Sequence, residues 1–313
     1  MKTIKYITLS VLAVCMLGKE SKSQNQFLVS QYMLHHGFVN PAAIANSNKM
    51  NGAAFYRTQW TGFNGAPVLQ GLNFNLPFAG GKNAAGLTVL HDKIGVNRNI
   101  EITGTYAYRA KVGLNKYLAF GVSGTLSLLN SDFSNFQTTQ PNDPVFTSAT
   151  PTFAMPNFKA GLYFFTPKFY AGFSVPNLLE NKIIYATEYQ GKTEFNAKAI
   201  HYYLNAGYSF KVSEKFDLNV STMVKNVSGA PMQLDGNVMG VFNKKFGIGA
   251  SYRTSKELIG LVNFQVHPSW KIAYGYDFNF DQIGNYSNGS HEIMVIFNLV
   301  PVKATAVVEP PRF

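Results

Sequence analysis

The stretch Tyr274–Phe280 reads Y-G-Y-D-F-N-F, in which aromatic side chains alternate with glycine or polar ones. The alternation extends over 270–281, so a strand here has one face of aromatic and aliphatic side chains and one polar, partly charged face. A soluble β-sandwich rarely lines its inner face with so many Tyr and Phe, whereas a barrel in lipid turns its apolar face outward. The stretch therefore favours a membrane β-barrel.

The same alternation recurs at 99–112, 200–212 and 216–225. Only 14% of the 313 residues are charged, while Gly (27), Phe (26) and Tyr (17) are plentiful. Soluble domains carry about 25% charged residues, and aromatic girdles are typical of membrane barrels. The mean hydropathy of −0.04 fits a barrel in which half of each strand is polar. The composition thus points in the same direction as the pattern.

Alternation and turn residues together predict an antiparallel barrel of about 14 strands. An even number is what single-chain bacterial barrels have, and most of these segments are long enough to cross a bilayer when tilted. The predicted strands are 51–60, 66–77, 84–93, 98–113, 116–130, 154–166, 168–178, 200–212, 215–226, 231–243, 245–254, 256–267, 269–281 and 290–300.

The predicted connections differ in length according to whether they follow an even-numbered or an odd-numbered strand. Those after even-numbered strands are tight, whereas those after odd-numbered strands include the three longest, at about 131–153, 179–199 and 282–289. Every second connection of an antiparallel barrel lies on the same side, and outer-membrane barrels have short periplasmic turns and long extracellular loops. We therefore predict an integral outer-membrane barrel with long loops outside and both termini in the periplasm.

Residues 1–23 have the features of a signal peptide: two early lysines, an apolar run at 7–17, and small residues that place cleavage after Ser23. A lipoprotein signal at Cys15 is the alternative. Cleavage after Ser23 leaves a mature chain without cysteine, which excludes disulfides and thiolate chemistry. The predicted domains are this signal, a plug-like segment, the barrel and a periplasmic tail, at 1–23, 24–50, 51–300 and 301–313.

The segment 24–50 is too mixed for a strand and too apolar for a free tail. We expect it to lie in the lumen as a plug, with Tyr32 buried and the Asn40-Pro41 pair forming a turn. The tail 301–313 contains three prolines and cannot continue a strand. It is predicted to be either disordered or a short partner-binding peptide.

Catalytic or metal chemistry finds little support in the sequence. His35 and His36 are adjacent, and adjacent side chains of an extended chain point apart. Ser123, in G-V-S-G, falls on the polar face of its predicted strand, as a plain lumen residue would. We predict no enzyme activity, no metal and no cofactor. Part of the net charge of +11 belongs to residues 1–23, and the other lysines lie in short turns rather than in one stripe, so a nucleic-acid partner is not expected. Attraction to anionic partners or lipid headgroups is favoured over nucleic acid, and charged turns that only solvate the barrel rim are favoured over both.

Charged residues on the polar face would lie inside the barrel, where they must pair or contact water. A salt-bridged, filled lumen is favoured over a charged conduit. These predicted lumen charges are Glu101, Arg109, Lys111, Asp217, Lys225, Arg253, Asp277 and Asp281. Aromatic residues in the long loops are candidates for binding a partner, because exposed apolar patches mark interfaces. They are Phe133, Phe136, Phe146, Phe153 and Tyr189.

Several short motifs resemble those of the PorP/SprF family of the type IX secretion system, over nearly all of the mature chain. The pieces are S-Q-Y-M at 30–33, N-P-A at 40–42, Y-R-T-Q-W at 56–60, H-D-K-I-G at 91–95, T-Y-A-Y at 105–108, N-D-P-V-F at 142–146, F-Y-A-G-F-S-V at 169–175, S-Y-R-T at 251–254, Y-G-Y-D at 274–277 and G-S-H-E-I at 289–293. The family usually has an aromatic residue and a glycine where this chain has Ala43-Ile44-Ala45-Asn46.

The resemblance implies a barrel similar to the fatty-acid-transporter type that works with the type IX machinery and supports gliding motility. Some members look dedicated to one surface adhesin, whose export they aid and whose C-terminal domain they hold at the cell surface. Others associate with periplasmic lipoproteins of the secretion ring. An adhesin anchor is the first hypothesis, with outer-membrane lipid and lipopolysaccharide as its surroundings. A partner of the lipoprotein ring, a transporter of small hydrophobic or charged solutes and, distantly, a lipolytic enzyme are the alternatives.

Overall fold

The computed structural model describes residues 29–133, 151–179, 181–187, 191–197, 200–227, 230–301 and 311. The strands in these residues are β1 (Lys49–Thr58), β2 (Val68–Phe78), β3 (Asn83–Ile94), β4 (Asn97–Gly113), β5 (Lys116–Ser131), β6 (Phe153–Phe165), β7 (Phe169–Val175), β8 (Asn181–Thr187), β9 (Gly191–Ala197), β10 (His201–Lys211), β11 (Phe216–Val227), β12 (Gln233–Phe242), β13 (Phe246–Arg253), β14 (Glu257–His267), β15 (Trp270–Asn279) and β16 (Ser290–Pro301). Short 3₁₀ helices cover Tyr32–Leu34, His36–Phe38, Pro41–Asn46, Ala79–Gly81 and Gln282–Asn285.

Fourteen of the strands form one closed antiparallel barrel, which confirms the predicted fold class. Neighbours in the chain are neighbours in the sheet, β7 pairs with β10, and β1 pairs with β16 to close the barrel. The strands β8 and β9 form a separate two-stranded sheet within the connection 176–200, which the sequence pattern predicts only as a loop. None of the described residues form a helix long and apolar enough to cross a membrane.

The two faces of each barrel strand differ as the alternation predicts. In β15, Ala273, Asp277 and Asn279 are buried inside the barrel, whereas Tyr274 and Phe278 are exposed on its outer surface. A protein in water would not leave so much aromatic surface uncovered, but lipid covers such a surface at no cost. The outer surface is thus the lipid-facing side.

The two ends of the barrel differ in their connections. Short turns join β2 to β3, β4 to β5, β6 to β7, β10 to β11, β12 to β13 and β14 to β15, and we call this the short-turn end. Asn243 and Lys244 both have positive φ, as the two central residues of a type I′ turn do, and the Lys245 N–H donates to the Phe242 carbonyl oxygen over 2.9 Å. The opposite, long-loop end carries the connections 59–67, 132–152, 176–200 and 280–289. The predicted segregation of long and short connections is present.

The luminal segment, residues 29–48, forms hydrogen bonds to strands on all sides of the barrel. Ser30 binds β15, the Tyr32 hydroxyl binds β12, His35 binds β2, and Asn40 binds β6 and β7. Only a chain inside the barrel can reach all these strands. Its apolar residues pack in the main hydrophobic cluster of the molecule, together with inward-facing wall residues. These are Tyr32, Met33, Ala42, Ala43, Ile44 and Ala45 from the segment, and Tyr117, Tyr163, Phe165, Tyr170, Met223, Met239, Ile259 and Leu261 from the wall.

Candidate functional site

The luminal segment runs through the barrel from one end to the other. Ser30 and Gln31 bind Asp277 and Glu292, which lie close to the long-loop ends of β15 and β16. At the other extreme, Arg109, near the short-turn end of β4, donates hydrogen bonds to the residues just before β1. Counting an even number of barrel strands predicts that the chain before β1 lies at the short-turn end. The first described residues lie instead toward the long-loop end, because a luminal crossing is not a strand and parity does not count it.

Three charged residues bind the N-terminal part of the luminal segment, at Ser30 and Gln31. We call these three residues, Arg57, Asp277 and Glu292, the clamp. The Arg57 guanidinium lies 2.7 Å from the Asp277 carboxylate and 3.3 Å from that of Glu292. The Ser30 hydroxyl donates to Asp277 over 2.7 Å and accepts from Arg57 over 2.9 Å. These side chains are almost fully buried. Burial of such charges is costly unless they are paired and hydrogen-bonded, and here the luminal segment adds hydrogen bonds to the ion pairs.

The Glu292 carboxylate binds the backbone of the segment. Its two oxygens accept hydrogen bonds from the backbone N–H groups of Ser30 (2.8 Å) and Gln31 (2.9 Å). The Gln31 side-chain amide donates to the Glu292 carbonyl oxygen over 3.1 Å. The clamp contains two carboxylates and one guanidinium, so these N–H groups supply the positive dipoles that the excess carboxylate needs.

The C-terminal part of the luminal segment, from Asn40 onward, is held by close fit to the barrel wall and by hydrogen bonds of Asn40. The Asn40 side chain donates to the carbonyl oxygens of Leu162 (2.9 Å) and Phe173 (3.3 Å), and it accepts from the Ala42 N–H (2.9 Å). The barrel wall has glycine where the segment touches it. A Cβ at Gly121 would lie 2.3 Å from the Ala42 nitrogen, and one at Gly161 would lie 2.2 Å from Asn40 Oδ1. Larger wall residues would therefore displace the turn.

Arg109 binds the C-terminal end of the luminal segment, near the short-turn end of the barrel. Its guanidinium donates to the Ala45 carbonyl oxygen over 3.0 Å and to Asn48 Oδ1 over 2.6 Å. It also lies 5.4 Å from the centre of the Tyr117 ring. The predicted plug residues Tyr32, Asn40 and Pro41 are all buried in this assembly.

A second buried ion cluster lies on the wall formed by β11 to β14. Arg253 lies 3.1 Å from Asp235 and also pairs with Glu257, while Lys225 lies 3.6 Å from Asp235. On another part of the wall, Lys159 pairs with Glu101. In both places a cation on the inner face is paired with an acid.

The predicted lumen charges divide into two groups. Glu101, Arg109, Lys225, Arg253 and Asp277 are buried and bonded as described above. The others lie at the rims: Lys111 is exposed near the short-turn end of β4, Asp217 is half-buried at the start of β11, and Asp281 follows β15 and accepts from the Gly284 N–H. Alternation predicts on which face of a strand a residue lies, but it does not predict how far the residue lies from the barrel rim. This explains why these three residues are less buried than predicted.

Several residues of the interior are absent from the predicted set: Arg57, Lys159, Asp235, Glu257 and Glu292. For some of them, the pairing of residues across adjacent strands is a signal that could predict the contact. Arg57 is directly opposite Glu292 in the register of β1 and β16, and Arg253 is opposite both Asp235 and Glu257 in adjacent hairpins. Hairpin registers follow from short turns, so the Arg253 cluster could be found from sequence. The pairing of β1 with β16 joins the chain ends and carries no such signal.

The long-loop end presents exposed aromatic residues besides those predicted from the sequence. Phe136, Phe146 and Tyr189 lie outside the described residues, and Phe133 and Phe153 are half-buried. Phe63 and Tyr286 are exposed at this end, Tyr286 by 78%. Their loops are joined by backbone hydrogen bonds from Thr61 N–H to the Gly289 carbonyl (2.9 Å) and from Asn288 N–H to the Thr61 carbonyl (2.7 Å). The pair of loops 59–67 and 280–289 is thus one connected surface.

The short-turn end is basic. Exposed lysines occupy or border five of its turns: Lys82, Lys116, Lys168, Lys215, Lys244 and Lys245. An acid is also present, since Glu214 accepts a hydrogen bond from Lys211 over 2.6 Å, and this bond lowers the pKa of Glu214. The end as a whole would attract an anionic surface.

Neither the histidines nor the candidate serine form a reactive arrangement. His35 Nε2 lies 2.6 Å from Asn73 Oδ1, and the His36 ring packs against the rings of Tyr163 and Tyr170. Ser123 shares a hydrogen bond with Thr105 inside the barrel. Across the residues that the structure describes, no group of three or more His, Cys, Asp or Glu side chains is placed to hold a metal ion.

The fold resembles known barrels only distantly. Among solved structures, the chain is similar to the CymD monoaromatic hydrocarbon channel (13% identity, 87% of this chain, 93% of that chain, TM-score 0.49). It is also similar to the Ralstonia pickettii toluene transporter TbuX (9%, 85% and 92%, TM-score 0.49) and a Pseudomonas aeruginosa FadL homologue (13%, 83% and 93%, TM-score 0.44). No curated protein matches the chain.

Sequence comparison identifies the family directly. The family described as "Type IX secretion system membrane protein PorP/SprF" matches residues 21–297, which is most of the chain. The matched range includes the luminal segment and nearly the whole barrel. The chain therefore belongs to the PorP/SprF family of type IX secretion system membrane proteins.

Proposed function

We propose that the protein is a non-enzymatic outer-membrane component of the type IX secretion system that aids export of a secreted adhesin and holds its C-terminal domain at the cell surface. The observation that carries this proposal is a barrel whose interior is occupied by its own N-terminal segment and whose long connections all lie at one end. A filled interior leaves the two rims for recognition. The family membership supplies the secretion system.

In this proposal the long-loop end faces the outside and the short-turn end faces the periplasm. The orientation is supported by the usual asymmetry of outer-membrane barrels. The connections 132–152 and 176–200 are the longest on the outer side, and the second contains the sheet of β8 and β9. Aromatic residues predicted in these two loops and the exposed pair Phe63 and Tyr286 supply the apolar surface for a protein partner.

Deletion of residues 134–150 tests the proposal, because it removes most of one long connection and spares β5 and β6. The adhesin is expected in the culture medium instead of on the cell, while the barrel still inserts, as judged by heat-dependent gel migration of the folded protein. Deletion of the tail 302–313 is the control, since it leaves the long-loop end unchanged, and retention is expected to persist. If the loop deletion leaves retention unchanged as well, the anchoring role is wrong.

A second function, docking on periplasmic lipoproteins of the secretion ring, is favoured by the exposed lysines of the short-turn end. A basic rim fits an acidic protein surface. Replacing Lys82, Lys168, Lys215 and Lys244 by Glu is expected to abolish crosslinked co-purification of such lipoproteins, whereas deletion of 134–150 leaves it intact. If charge reversal has no effect on the recovered lipoproteins, this docking role is excluded.

A further inference from the structure

The outer face of β3 and β4 carries two cations at the long-loop end of the barrel. Lys93 and Arg98 are directly opposite each other in the register of these strands, and both are exposed. Arg98 is on the same face of β4 as Ile100 and Ile102, which are exposed on the lipid-facing side. Directly opposite residues of an antiparallel pair have Cβ atoms about 5 Å apart. The two cations are therefore neighbours at the edge of the lipid-facing surface.

This pair of cations is only partly neutralised by the protein. Arg98 lies 3.6 Å from Asp132, but both side chains are partly exposed, so water weakens the pairing. Lys93 has no ion-pair partner among the residues that the structure describes. Together the three residues carry one net positive charge. A guanidinium beside an ammonium group is suited to a phosphate group, to which Arg can donate two parallel hydrogen bonds.

Farther along the same strands, the outer face has a shallow, mostly apolar groove. Gly104 and Gly124 are directly opposite each other on β4 and β5, and a Cβ at either position would meet no atom within 4 Å. The side chains of Tyr106, Val122 and Phe158 line the groove, and all three are exposed. Such a groove can accommodate a hydrocarbon chain, which gains dispersion contacts with the walls.

The distance between the cations and the groove matches the dimensions of a membrane lipid. Gly104 is six residues from Arg98 along β4, which corresponds to about 20 Å along the strand. Because barrel strands are tilted by about 40°, this distance covers about 15 Å of membrane depth. Half of the hydrocarbon core is also about 15 Å thick. The groove thus lies where the acyl chains of a lipid end when its head group is beside Arg98.

We propose that this outer face binds one molecule of lipopolysaccharide, with a phosphate group on Lys93 and Arg98 and an acyl chain in the groove. The ligand must be anionic at one end and carry a hydrocarbon chain, because the cations and the groove lie on one continuous surface. A soluble anion would gain nothing from the groove. The loops of an acidic protein would not reach the groove, since lipid excludes irregular backbone.

The choice of lipopolysaccharide over a phospholipid rests on the orientation in the proposed function. There the long-loop end faces the outside, and lipopolysaccharide is the lipid of the outer leaflet of an outer membrane. The site itself depends neither on residues 134–150 nor on an adhesin. A binding assay without an adhesin therefore tests the site separately from the anchoring role.

Titration of purified lipopolysaccharide into the detergent-solubilised full chain, read by native mass spectrometry, tests the cations. The wild type is expected to bind one molecule, and the double variant Lys93→Gln, Arg98→Gln should bind it about thirtyfold more weakly. Lys256→Gln, in an exposed turn at the same end, is the matched control and leaves the affinity unchanged. Equal affinities of the wild type and the double variant overturn the proposal.

The groove is tested by filling its floor. Gly104→Leu combined with Gly124→Leu should weaken binding about fivefold, because the acyl chain loses its contacts there. Gly236→Leu combined with Gly260→Leu is the matched control, since these glycines are also exposed and a Cβ at either would meet nothing within 4 Å. An unchanged affinity in the first variant contradicts the placement of the acyl chain.

Phosphatidylglycerol, an anionic phospholipid, is the competing ligand in the same titration. Lipopolysaccharide is expected to bind more tightly, because it carries more acyl chains and more negative charge. If phosphatidylglycerol binds as tightly and depends equally on the two cations, the choice of lipopolysaccharide is wrong. Adhesin retention is not measured in this titration, so the lipid site and the anchoring role can each fail without the other.

Discussion

The two halves of the luminal segment are held in the barrel by different forces. Residues 29–31 are fixed by the buried charges of the clamp, through four hydrogen bonds to carboxylates and a guanidinium and one to a backbone carbonyl. Residues 40–46 are fixed by packing, with alanines and Ile44 in the main hydrophobic cluster and Asn40 bonded to wall carbonyl oxygens. Residues 29–31 thus depend on an ion cluster, whereas residues 40–46 depend on packing and on hydrogen bonds from Asn40 and Arg109.

The difference explains where the segment can open and where it cannot. A charged site loses its stability when a single partner is neutralised, since the remaining charges stay buried without compensation. A packed site loses stability only when volume is removed or added. The N-terminal part of the segment is thus sensitive to charge changes in the clamp, whereas the C-terminal part is sensitive to changes of shape and to loss of the hydrogen bonds of Asn40 and Arg109.

The largest effect is expected for Arg57→Met, which leaves Asp277 and Glu292 buried without their cation. The free energy of unfolding should fall by about 3–5 kcal/mol, measured by urea titration of the barrel in lipid vesicles. Arg98→Met is the control, because Arg98 is 48% exposed and pairs with Asp132 at the rim. It should change stability by less than about 1 kcal/mol. Equal effects of the two changes would mean that the clamp is not a stabilising site.

A shape change at the other half should come next. Gly121→Val places a side chain against the Ala42 backbone, and overpacking of this kind costs about 1–3 kcal/mol. Gly124→Val, on the same strand, is the matched control, since a Cβ there meets nothing within 4 Å. The comparison uses the same urea titration. A destabilised Gly124→Val with an unaffected Gly121→Val would contradict the fit of the segment to the wall.

Removal of the Asn40 side chain should have a smaller effect. Asn40→Ala deletes two bonds to wall carbonyl oxygens and the cap on Ala42, at a cost of about 1–2 kcal/mol. Asn64→Ala, in an exposed loop, is expected to leave the unfolding midpoint unchanged. If both alanine variants behave alike, the bonds of Asn40 contribute nothing to stability.

The smallest effect is expected at the short-turn rim, outside both halves. The hydrogen bond from Lys211 lowers the pKa of Glu214, so any stabilisation by this pair is present at neutral pH and is lost as the pH falls through the pKa of the carboxyl group. Both side chains are exposed, and water screens the pair. The unfolding midpoints of the wild type and of Glu214→Gln should therefore coincide from pH 7 to pH 4. A gap that closes on acidification would show that the rim pair matters.

Much of the barrel can be predicted from the sequence because alternation and tight turns are local signals. The predicted strand 290–300 corresponds to β16 (Ser290–Pro301), and 116–130 corresponds to β5 (Lys116–Ser131). The predicted 168–178 is longer than β7 (Phe169–Val175), where the chain leaves the barrel toward β8. The small sheet of β8 and β9 was not predicted, since it lies outside the barrel and lacks the period that membrane contact imposes.

The sequence by itself determined the barrel strands, the lipid-facing side and the sorting of connections, because each depends on residues that are neighbours along the chain or in a hairpin. Only the tertiary structure decided the route of the luminal segment and the membership of the clamp. Ser30, Arg57, Asp277 and Glu292 come from distant parts of the chain and meet only when β16 closes the barrel against β1. No local sequence pattern predicts that these four residues come together, because the partner of a charge on the inner face is known only once the barrel is closed.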